Sequence, residues 1–146
     1  MSTEFEKEKK IRPGKLTLSL IVYIIGVPIA TIIMAVILSF ILNIPFIRAI
    51  LNFLISISRD LMGDLRVIAI PMLIANYIAY KVSELINGSN YKTHGMATFI
   101  YGIIFIVCEV IFLIMNIILG GAIGINVIGI IVGACLIGLG RKESKQ

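Results

Sequence analysis

Histidine occurs once in this sequence, cysteine twice, and only eight of its 146 residues are Asp or Glu. These shortages remove whole classes of chemistry. A lone histidine, His94, supplies neither a histidine-based metal cluster nor a Ser/His/Asp set. Cys108 and Cys135 stand in apolar stretches without CxxC spacing, so no disulfide framework is implied and both are expected to be small buried side chains. Hydrolysis inside a membrane calls for a nucleophile with a base, a pair of acids, or a metal cluster. Asp60 and Asp64 are close in sequence, but they lie next to Arg59 and Arg66, where local charge pairing is the expected use. The chain therefore reads as a non-enzyme with no cofactor and no metal.

What the sequence has in abundance is apolar. Hydrophobic residues make up 59% of it and charged residues 14%, in long uninterrupted blocks. A spanning helix needs ~20 mostly apolar residues, whereas a membrane barrel would show short alternating segments. The predicted fold is an all-α membrane protein, a four-transmembrane-helix bundle forming one domain. Its spans cover about 16–42, 64–84, 95–119 and 121–140, with tails at 1–15 and 141–146. The first block, from Leu16, is too long for a signal-peptide core and lacks a small-residue cleavage site, so it is expected to stay in the mature protein.

The tail MSTEFEKEKKIRPGK alternates acids and bases before a Pro-Gly pair, and Lys9, Lys10, Arg12 and Lys15 abut the first span. That position suits anionic lipid headgroups better than nucleic acid. The first span carries Ser19, Tyr23, Gly26 and Ala30 on one face and is expected to kink at Pro28. In IPFIRAILNFLISISRD, Arg48, Asn52, Ser56 and Arg59 fall in one narrow arc of a helix and apolar residues cover the rest. This predicts an interfacial amphipathic helix over about 45–59, between the first and second spans, with a re-entrant element as the alternative. The second span has Pro71 near its middle and Asn76 about halfway along, sharing a face with Ala69, Tyr80 and Glu84. Asn87-Gly88-Ser89 fits a glycosylation acceptor, but at a cytoplasmic position it reads as a turn.

The last two spans form a hairpin about Gly120-Gly121, and Glu109 is the one charged side chain in either arm. Gly95, Thr98, Gly102, Glu109 and Asn116 share a face of the first arm, and Ala122, Asn126, Gly129, Gly133 and Gly140 share a face of the second. Membrane helices meet where small residues let backbones approach and polar groups bond across. Gly102, Gly129 and Gly133 therefore mark the packing seam, and folding about the turn brings Asn116 to Asn126 and Glu109 to Gly133. An ionised acid at mid-bilayer costs roughly 2.5 to 3.5 kcal/mol on insertion scales, so Glu109 is expected to be neutral and hydrogen-bonded to Asn76 at matching depth.

Of 13 Lys and Arg, only Arg48, Arg59 and Arg66 fall on the outer side when the N-terminus is inside. Both termini are then cytoplasmic, in a multi-pass protein of the cell membrane. The functional expectation is a non-catalytic subunit, scaffold or accessory component of a membrane complex. Its partners would be the lipid bilayer and either a further copy of itself or another membrane protein, with no nucleic acid. The competing expectation is a small proton- or cation-coupled transporter or channel component that uses Glu109, with Asn76, Asn116 and Asn126 as its polar company. Pore formation has no specific signal in the residues.

Overall fold

The computed structural model describes residues 10–56, 69–121 and 123–146, and every regular element in them is an α-helix. α1 (Pro13–Leu42) opens on a proline, whose missing N–H is free of charge in a first turn, and runs unbroken through Pro28. Its 30 residues give about 45 Å of helix. It ends at Asn43, whose N–H donates to the Phe40 carbonyl at 3.2 Å while the Ile44 N–H donates to that of Ile41 at 3.1 Å. Pro45 then starts α2 (Pro45–Ser56), which turns Phe46, Ile50 and Phe53 outward and contacts α1. Residues 57–59 of the expected interfacial helix and 64–68 of the expected second span lie outside the described residues.

α3 (Ile70–Asn87) carries Pro71 in its first turn, not at its middle. It ends where Gly88 takes φ 58°, in the left-handed range that favours glycine, and returns its N–H to the Glu84 carbonyl at 2.9 Å. The Asn87-Gly88-Ser89 stretch is thus a turn. α4 (Tyr91–Leu119) starts four residues before the expected boundary, because the Asn90 side chain caps it by accepting the Thr93 N–H at 3.0 Å. It stops at Gly120, φ 69°, with Gly121 N–H bonded to the Asn116 carbonyl at 2.7 Å. α5 (Gly124–Ser144) extends past the expected limit of 140 and places Arg141 and Lys142 in its last turn, where cations suit the helix dipole.

Among the described residues, α1, α4 and α5 are long and apolar enough to cross a membrane, which marks the chain as a helical membrane protein. α4 and α5 share the most extensive interface and α1 and α3 the next. The two antiparallel pairs join through one small core of Tyr23 and Val27 from α1, Ala75 and Ala79 from α3, Ala97 and Tyr101 from α4, and Leu136 from α5. The Tyr23 and Tyr101 rings stack there at 4.3 Å. No α1 residue beyond Val27 and no α4 residue beyond Gly102 is buried. The pairs are consequently closed at the end where α1 and α4 begin and separate toward the other. Along both separated stretches the outward side chains are mostly Ile, Val, Leu and Phe, which suits lipid contact.

Candidate functional site

Glu109 sits on the α4 face that α5 covers. Its Oε2 accepts from Asn126 Nδ2 at 3.0 Å, and Asn126 Oδ1 in turn accepts from Asn116 Nδ2 at 2.7 Å. The carboxyl rests on Gly129, where an added Cβ would come within 2.7 Å of Glu109 Cγ. This three-residue chain satisfies groups that are expensive in hydrocarbon. Asn116 and Asn126 meet as the seam predicts.

Two expectations about Glu109 are corrected. Asn76 is not its partner: Asn76 Nδ2 donates to the Met72 carbonyl of its own helix at 2.8 Å, and its buried Oδ1 has no hydrogen-bond partner. The helix pairs separate beyond Tyr101, and α4 turns its polar face onto α5, so Asn126 bonds the carboxyl. Glu109 also lies against Gly129, one turn from the expected Gly133. The hydrogen bond from Asn126 at 3.0 Å draws the carboxyl over Gly129.

Backbones approach on this seam at Gly102 and Gly133, as expected, and also at Gly95 and Gly140 on the same two faces. A Cβ at Gly140 would meet the Gly95 carbonyl oxygen at 2.7 Å and Phe99 Cα at 2.8 Å, while one at Gly95 would meet the Gly140 carbonyl oxygen at 2.8 Å. At Gly102 it would meet the Gly133 carbonyl oxygen and the Ile137 nitrogen, both at 2.9 Å. At Gly129 and Gly133 the nearest atoms belong to side chains, Glu109 and Ile106. Glu109→Leu is expected to strand the Asn126 amide and loosen the hairpin by the ~0.6 kcal/mol typical of such bonds. Glu109→Gln keeps an acceptor and should unfold with the wild type in a thermal melt in mild detergent.

A second polar cluster, at the closed end, involves all four long helices. His94, just before the expected span of 95–119, is 1% exposed in the first turn of α4. Its Nδ1 lies 2.9 Å from Ser83 Oγ on α3. Its Nε2 faces Glu143 Oε2 of α5 at 3.1 Å, off the line of a well-directed hydrogen bond. Tyr80 donates its hydroxyl to the other oxygen of Glu143. Asn87 donates to Ser19 Oγ at 2.9 Å and to the Ser83 carbonyl at 2.7 Å, and the Tyr23 and Thr98 hydroxyls meet at 3.1 Å. Glu84, expected on this face, lies toward the surface and bonds Lys81 at 2.7 Å.

The available signal for this cluster was spacing. Ser83 and Asn87, and Asn90, His94 and Thr98, recur at four residues, which puts each set on one helix face. Ser83, His94 and Glu143 touch in the order nucleophile, base, acid. Ser83 is wholly enclosed, however, so the series has no face open to a substrate carbonyl. Among the described residues no three of His, Cys, Asp or Glu gather as metal ligands. Cys108 and Cys135 are exposed on the outer faces of α4 and α5, which corrects the expectation that they are buried. Compared with known protein families, with curated proteins and with solved structures, the chain matches none of them.

Proposed function

We propose that this chain is a non-catalytic subunit or scaffold of a complex in the cell membrane, spanning four times with both termini cytoplasmic. The observation that carries the reading is where the polar groups go. Glu109, Asn116 and Asn126 bond one another across the hairpin, and His94, Ser83, Tyr80 and Glu143 do so across the closed end. Side chains used in this way hold helices together rather than line a path. The separated stretches of α1 and α4 then offer apolar faces to a partner's helices, whether those of a second copy or of another membrane protein. Purification in mild detergent with quantification of copurifying chains tests this. A stoichiometric partner or a defined oligomer is expected, and a bare monomer contradicts it.

In this arrangement α3 lies in the second span, and α2 lies on the outer surface with Phe46, Ile50 and Phe53 in the acyl boundary. Single cysteines introduced into a background lacking Cys108 and Cys135 test the topology. Cysteines at positions 7 and 145 should resist an impermeant reagent applied from outside, and one at Asn52 should react. External labelling of either terminal position contradicts the orientation.

One observation favours the transport reading as a second possibility. Glu109 is only half-buried, so α5 leaves part of it uncovered. A proton- or cation-coupled carrier would use that opening.

A further inference from the structure

The described acids at the closed end are all engaged. Glu84 is bonded to Lys81, and Glu143 is turned inward onto His94 and Tyr80. Lys10, Arg12, Lys92, Arg141, Lys142 and Lys145 share this end, are exposed, and have no ion-pair partner among the described residues. Drawing Glu143 inward deprives Arg141 and Lys142, its neighbours in sequence, of a counter-charge. Among the described residues the charges left unpaired at this end are all positive, and cations gathered beside a span are attracted to anionic lipid.

Three of these cations are positioned by the fold. The Arg12 N–H donates to Thr93 Oγ1 at 3.0 Å, and Asn90 Nδ2 donates to the Lys10 carbonyl at 2.9 Å. The backbone of residues 10–12 is thereby strapped to the turn of α4 that carries Lys92 between its two anchors. Both anchors, Asn90 and Thr93, are buried, while the side chains of Lys10, Arg12 and Lys92 remain exposed. A cavity of about 310 Å³ opens at the strap, lined by Lys10, Ile11, Arg12 and Pro13. Pro13 begins a membrane-length helix and Lys92 lies in the first turn of another, which sets this cavity at headgroup depth. Exposed Leu18, Ile21 and Ile25 continue from it along α1.

We propose that the strap is a seat for an anionic phospholipid, its phosphate held by Lys10, Arg12 and Lys92 and its acyl chains lying along α1. The planar fork of Arg12 suits two phosphate oxygens, and the two lysines act as point charges beside it. The apolar path from the cavity down α1 selects a lipid over a free anion. The proposal needs membrane insertion of α1 and α4 and is independent of the subunit reading.

The test is lipid retention by the full chain in mild detergent, read by native mass spectrometry with phosphatidylglycerol and phosphatidylcholine offered together. Wild type is expected to keep phosphatidylglycerol in preference. The triple variant Lys10→Gln/Arg12→Gln/Lys92→Gln should lose it by roughly fivefold for each neutralised cation, the fold-change for the ~1 kcal/mol that a Lys or Arg contributes near an anionic surface. None of the three substitutions touches an anchoring bond, because these use the backbone of Lys10 and Arg12. The matched triple Arg141→Gln/Lys142→Gln/Lys145→Gln removes equal charge and should retain the lipid. Equal loss in both variants would reduce the patch to a diffuse field and overturn the seat. Displacement by inorganic phosphate, or equal retention of both lipids by wild type, would overturn it too.

Discussion

Gly140→Ala is expected to destabilise the hairpin by ~1–3 kcal/mol, the usual cost of forcing a methyl group into a filled interface. The added Cβ would sit 2.7 Å from the Gly95 carbonyl oxygen and 2.8 Å from Phe99 Cα, and backbone atoms of a continuous helix cannot step aside. Gly133→Ala meets chiefly the side chain of Ile106, which has rotamers to use, so its cost should be smaller. Thermal unfolding in mild detergent, followed by helical circular dichroism, gives the order. If Gly133→Ala proves the more damaging of the two, the helices cross at Gly129 and Gly133, as the sequence motif alone suggests, and the register described here is wrong.

His94→Ala should cost more, about 3–5 kcal/mol, the range for truncating a buried aromatic ring. The ring touches Ser83 on one side and Glu143 on the other and packs against Tyr80 at 4.8 Å, so one truncation unties α3, α4 and α5 together. Glu143→Gln is the informative companion, because an amide oxygen still accepts from Tyr80 or from His94. It should lose less than half as much. Matching losses for Glu143→Gln and His94→Ala would mean that the charge of Glu143, and not its hydrogen bonding, closes this end.

The hairpin was legible because apolar runs are long and their few exceptions fall at helical spacing. Asn116 and Asn126 found each other from that pattern alone. The Glu109 partner was not legible, because depth along a helix says nothing of rotation, and rotation decided between Asn76 and Asn126. The closed end was hidden for a related reason. Tyr91-Lys92-Thr93-His94 reads as a polar turn, and it becomes helix only because Asn90 caps it and Ser83, Arg12 and Glu143 arrive from distant parts of the chain to bond it. Glu143, directly after the basic pair Arg141-Lys142, resembled a solvated charge. Its burial depends on Gly95 and Gly140 letting the end of α5 come close.

The central claim, that the intramembrane polar groups hold the bundle together rather than carry an ion, is tested most directly by flux. Wild type and Glu109→Gln, each reconstituted into proteoliposomes with an internal pH indicator, would be compared under an imposed proton gradient and, separately, a sodium or potassium gradient. The account predicts that neither protein dissipates either gradient faster than empty vesicles. Flux through wild type that Glu109→Gln abolishes, with assembly unchanged, would contradict it.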